Sequence, residues 1–239
     1  MKNIRMLLLI IILNSAQLCL AQTEFNNFDV NGKKNGIWKG FYQDSRQLRF
    51  EGVFENGIEV GVFKFYDNTE SNSNVSTRTF SKNGSVAANV FFDAKGNIIS
   101  QGTTVNKLND GVWTFFHEGS KEIRMTENYV KGELNGAKKI FYKSNILAEE
   151  SDFKDGLKTG IYKIYTEKGL VIEESNFKNG EYNGLAIFSA PSGTIISKGN
   201  FVMGAKKGKW QFFENGKLKK EVMMPEKIKF KIGKVKKIE

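Results

Sequence analysis

The sequence predicts an all-β fold, an elongated antiparallel β-meander of about eight hairpin repeats of 24–26 residues. Three observations carry this. A glycine ladder recurs along the chain, an aromatic or aliphatic pair follows most rungs at a fixed distance, and the stretches between rungs alternate polar with apolar residues.

Residues 1–21 stand outside the repeat. Lys2 and Arg5 precede the apolar run Met6 to Leu13, and Cys19 and Ala21 supply small residues before Gln22. That is the pattern of a secretory signal peptide, and the run is too short for a membrane span of about 20 residues. Residues 22–29 form a lead-in, 30–218 the repeat domain, and 219–239 a basic edge strand or tail. The expected location is exported: periplasmic, associated with the outer envelope, or secreted.

The ladder consists of Gly36, Gly61, Gly111, Gly136, Gly160, Gly184 and Gly208, with a double step whose midpoint falls near Ala87. A second glycine stands four residues before most anchors: Gly32, Gly57, Gly132, Gly156, Gly180 and Gly204. The preceding residue is often Asn or Asp, so these pairs read as turns. One extended stretch is expected to begin at each anchor and run into a small turn such as His117 to Gly119. A second stretch alternates, as in Leu170 to Phe177. This amounts to about 16 short strands with no helix of ordinary length after residue 21.

Alternation assigns the faces. The residue two after the anchor belongs to the core: Trp38, Phe63, Trp113, Tyr162 and Trp210. Phe54, Tyr129, Phe153, Phe177 and Phe201 should join it from the second strands. The third residue after the anchor is polar, and Lys39, Lys64, Lys139 and Lys163 mark the opposite face as the candidate binding surface.

Composition limits the chemistry. One His and one Cys among 239 residues exclude a disulfide framework within the chain and a zinc site built from several of either. The formal charge is +10, yet residues 219–239 hold eight Lys and three Glu, so the surplus is concentrated at the end. A global nucleic-acid face is therefore not expected. His117 reads as a turn histidine without a nucleophile beside it. Glu149 and Glu173 share a repeat phase, which repetition alone explains. No cofactor, metal or catalytic residue is expected. Asp67 to Ser76 reads as a floppy surface insertion or a binding loop. The Lys-rich C-terminus is a candidate for an anionic membrane surface.

The recurring string F-x-x-G-x-x-x-G-x-W/Y-x-x-F/Y resembles the MORN repeat in its bacterial variant form. It matches at Phe54 to Tyr66, Phe153 to Tyr165, Phe177 to Phe188 and Phe201 to Phe213. The resemblance implies antiparallel β arrays used as scaffolds or binding surfaces, in proteins labelled antitoxin-component-like. The expected function is thus an exported, non-enzymatic scaffold that binds an unknown protein or envelope component. The alternative is an antitoxin-like or immunity-like protein bound to a cognate partner.

Overall fold

The computed structural model describes residues 25–81 and 83–225, and every described element is a β-strand, turn or bend. Residues 1–21, where a signal peptide is expected, and the tail beyond Pro225 lie outside the described residues. The chain divides into two compact units, residues 1–85 and 86–239. In the first, β1 (Asn27–Phe28), β2 (Lys34–Phe41), β3 (Leu48–Glu55), β4 (Ile58–Tyr66) and β5 (Asn74–Phe80) pair antiparallel in chain order.

The second unit opens with β6 (Val86–Phe92), β7 (Ile98–Val105), β8 (Leu108–Phe116) and β9 (Ile123–Val130). It continues with β10 (Glu133–Leu134), β11 (Gly136–Phe141), β12 (Leu147–Lys154), β13 (Leu157–Tyr165) and β14 (Val171–Lys178). β15 (Glu181–Ser189), β16 (Ile195–Val202), β17 (Ala205–Glu214) and β18 (Lys217–Met224) complete it. Pairing is again antiparallel, with β10 and β11 both on β9. The described strands number 18 rather than about 16. β1 adds a strand inside the expected lead-in, and Asn135 interrupts what would otherwise be one strand.

The two glycines of the repeat do different jobs. Asn56-Gly57, Asp155-Gly156 and Asn179-Gly180 each have positive φ at both positions, which makes two-residue hairpin turns whose twist suits the flanking strands. The strand expected to begin at the anchor glycine does so only at Gly136, where β11 starts; at Gly36, Gly61, Gly111, Gly160, Gly184 and Gly208 the glycine lies inside its strand. β4 begins at Ile58, three residues before Gly61. There Val60 to Lys64 spans the same length of ladder as Val53 to Glu51 on β3, so Gly61 sits in a bulge. Its φ is +66°, and a Cβ built there would meet nothing within 4 Å. Conformation, not space, requires glycine here.

Hairpins are also stitched to one another at both ends. On one side Gly57 N–H donates to Lys34 O, Gly156 to Leu134 O, Gly180 to Lys158 O and Gly204 to Tyr182 O, all at 2.8–3.0 Å. At the opposite tips Tyr42 Oη donates to Tyr66 O, and Tyr142 Oη to Tyr165 O, both at 2.7 Å. His117 occupies the equivalent place, with Nε2 3.1 Å from Phe141 O. The Asp67 loop is organised rather than loose. Asp67 Oδ1 accepts from Thr69 Oγ1, Thr69 N and Ser73 N, and those bonds hold its carboxyl below the usual range.

In each unit the core is a row of large side chains lying on the strands. Phe63, Trp113, Tyr162 and Trp210 are buried and Trp38 is half-buried. Each buried ring rests on a small residue of the preceding strand. A Cβ added at Gly52 would fall 2.3 Å from the Phe63 ring, at Gly102 2.3 Å from Trp113, and at Gly199 2.4 Å from Trp210. Ser151 serves Tyr162 in the same register. The indole N–H groups of Trp113 and Trp210 donate at 3.1 Å to Thr103 O and Asn200 O beside the bulges.

Three repeats replace the aromatic. Asn89 is buried in the glycine-poor repeat. Lys138 forms a 2.9 Å ion pair with buried Glu127. Buried Ala186 has Tyr182 nearby on its own strand, ring to ring with Phe177 at 4.3 Å and Phe201 at 4.9 Å.

Candidate binding face

A strand sends alternate side chains to opposite faces. The residues two after the repeat glycines lie on the aromatic face, so the first and third positions share the other face. In five repeats the first position is a half-exposed aliphatic residue, Ile37 and Val62 in the first unit and Val112, Ile161 and Leu185 in the second, at 46–55%, while Ala137 and Lys209 hold it in two others. The third positions bring the four lysines singled out from sequence, two in each unit.

Those lysines are not a bare cationic strip. In the first unit Lys39 and Lys64 stand on either side of Glu51 in the ladder. In the second, Lys139, Glu150, Lys163 and Glu174 follow one another on adjacent strands. Lys163 Nζ lies 3.4 Å from Glu174 Oε2. Opposite charges placed directly across strands favour this register by about 0.2–1 kcal/mol per pair.

A tyrosine closes each set. Tyr66 Oη donates to Glu51 Oε1 at 2.8 Å, and Tyr165 Oη to Glu150 Oε1 at 2.6 Å. Burial first, and the adjacent carboxylate second, push both phenols up to about 12. Neither sequence period nor charge count reveals these phenol–carboxylate bonds, because a bulge at the strand end re-aims the tyrosine.

In the second unit the face holds a hollow of about 210 Å³ lined by Ala137, Lys139, Glu150, Ser151, Asp152, Ile161 and Lys163. It opens where the aliphatic row steps down to the small Ala137 side chain. A wider hollow of about 490 Å³ lies at the hairpin tips between Asp93, Lys95, Glu118 and Lys143.

The aromatic face has a cationic pattern that sequence reading missed. Lys34, Lys158 and Lys206, each two residues before an anchor, place Nζ 4.5, 3.8 and 4.2 Å above the rings of Trp38, Tyr162 and Trp210. The signal was a lysine four residues before an aromatic, across the bulge. Desolvation lowers the Lys158 pKa against the opposing pull of Glu149. Glu149 and Glu173 flank Ile164 on this face, so no carboxylate pair directly faces its mate across one ladder step. Glu173 Oε1 instead accepts from Ser175 Oγ and Tyr182 Oη, both at 2.8 Å. Among the described residues no group of three or more His, Cys, Asp or Glu could hold a metal ion.

Similarity to known proteins is distant. An S. aureus TarM mutant crystallised with Fondaparinux, alpha-GlcNAc-glycerol and UDP shows 15% identity over 68% of this chain, with a TM-score of 0.18. This chain covers 19% of that protein's length. A Bacteroides fragilis protein of unknown function shows 10% identity, covering 82% of this chain and 95% of its own, with a TM-score of 0.12. No curated protein matches. The family matched corrects the MORN resemblance: residues 61–219 match the family described as a right handed beta helix region. The glycine and aromatic spacing that suggested MORN is a requirement of bulged, ring-covered strands and does not identify that family. The ladders seen are antiparallel in both units, so β-repeat structure is the common ground between the description and this chain. By a match that spans well over half its length, the chain belongs to the right-handed beta-helix-region family.

Proposed function

We propose that this protein is an exported, non-enzymatic hairpin-repeat scaffold that binds a protein or envelope component through the lysine-bearing face of each unit, marked by Lys39 and Lys64 in the first and by Lys139 and Lys163 in the second. The observation that carries the reading is the half-exposed aliphatic residue after five of the repeat glycines (Ile37, Val62, Val112, Ile161 and Leu185), set beside alternating Lys and Glu. Apolar surface rimmed by polar residues marks interaction sites more often than it marks inert surface. The alternating charges supply specificity and orientation.

The test is capture from envelope extract by the purified chain and by a variant with Lys39, Lys64, Lys139 and Lys163 changed to Glu. Species retained by the first and lost by the second support the reading. Equal retention by both removes the face from consideration. Amino-terminal sequencing of the secreted chain checks export, with Gln22 as the expected first residue.

A further inference from the structure

The row Lys139, Glu150, Lys163, Glu174 reads plus, minus, plus, minus on four adjacent strands. Reversed end for end, such a row becomes its own complement. A two-fold axis running along the strands, midway between β12 and β13, performs that reversal. Lys139 of one copy then faces Glu174 of the other, and Glu150 faces Lys163. Isologous contacts of this kind need one surface that is complementary to itself.

The same operation acts on the aliphatic row. It carries Ile161 from β13 to a position over β12, between Ala137 and Ile161 of the facing copy. That is where the hollow of about 210 Å³ lies. Ile161 is 49% exposed in the single chain and so has apolar surface to bury there. The axis that pairs the charges is therefore also the axis that fills the hollow.

We propose that the second unit self-associates through this face, with a second copy of this chain as the partner. This rests on the scaffold reading above and names one occupant of its binding surface. Aliphatic burial supplies the attraction, and the charge row sets the register. Asp152 lines the hollow and would lose water when Ile161 of the other copy enters. An Asp152→Asn substitution removes that charge and is expected to tighten the pairing.

The test is the mass of the full chain in solution, by sedimentation velocity across a range of concentrations. The expected result is a reversible dimer. Lys139→Glu with Lys163→Glu makes the row wholly negative and should give monomers. Glu150→Lys with Glu174→Lys makes it wholly positive and should do the same. Mixing the two variants should restore a dimer containing one of each, which also shows that both are folded. Should either fail to fold by circular dichroism, Ile161→Ser serves in its place and is expected to abolish the dimer. Monomers of the natural chain at every concentration would overturn the proposal. So would dimers unaffected by both charge reversals, or folded reversed chains that stay apart when mixed. If the natural chain is monomeric but extract capture still depends on the lysines, only self-association is refuted. If capture is also indifferent to them, the scaffold reading goes with it.

Discussion

Changing Gly199 to Ala tests the central packing claim. The new Cβ would lie 2.4 Å from two atoms of the Trp210 indole. Carbon contacts are ordinary at about 3.5–4.0 Å, so the ring has to retreat by about 1 Å. It has little room to do so. Trp210 is fully buried, with the Phe201 ring edge-on at 5.1 Å and the Lys206 ammonium 4.2 Å above its face. Overpacking of this kind costs about 1–3 kcal/mol, and an immobile ring places it near about 3. Replacing glycine within a strand returns about 0.5–1 kcal/mol of chain entropy, leaving a net loss of about 2. Urea unfolding followed by far-ultraviolet circular dichroism measures it.

The decisive comparison is Gly199→Ala in a Trp210→Ala background. With no ring to displace, the same methyl should be neutral or stabilising, giving a coupling of about 3 kcal/mol in the double-mutant cycle. Coupling below about 0.5 kcal/mol, the usual scatter of additivity, would refute the ring-over-glycine account. Gly208→Ala is the contrasting control. Its φ is +66° with open space around the Cβ, so its cost of about 1–2 kcal/mol comes from the backbone alone.

Glu127 is buried and Lys138 only half-buried, so removing the lysine strands the buried carboxylate, and Lys138→Ala should cost about 3 kcal/mol. The double change Glu127→Gly with Lys138→Trp rebuilds the arrangement of Gly102 and Trp113 and should recover most of it, as chemical denaturation will show. Changing His117 to Phe removes the contact with Phe141 O and should cost about 1 kcal/mol while leaving partner capture intact. Tyr66, Tyr129, Tyr165 and Tyr182 have phenols pushed up to about 12, chiefly by burial and then by carboxylate neighbours. The folded pKa exceeds the unfolded value of about 10, so this stabilisation is complete below pH 10 and lost as pH rises toward 12. Tyrosinate absorbance against pH should show these phenols ionising late, and ionisation near pH 10 in the folded chain would refute their burial.

Strand periodicity, the Asn-Gly turns and the aromatic row were legible in the sequence because each depends on residues near one another in the chain. Positive φ at Asn56 and Gly57 follows from residue type and spacing. The role of Gly61 did not follow. A bulge is defined by a count of residues on two strands, and one strand's sequence carries only half of it. The same limit hid the support of Trp210 by Gly199, eleven positions earlier, and of Tyr162 by Ser151.

The four lysines show where the division falls. Their recurrence three residues after a repeat glycine, and hence the face that each pair shares within its own unit, is a property of the repeat written in the chain. That Glu51 stands between Lys39 and Lys64, and that Glu150 and Glu174 alternate with Lys139 and Lys163, was settled only by cross-strand register. Local propensity determines turn and pleat, since both are set by the φ and ψ of neighbouring residues. Charge balance across a face depends on which distant residues the hydrogen-bond ladder brings side by side, and that is fixed only when the sheet assembles.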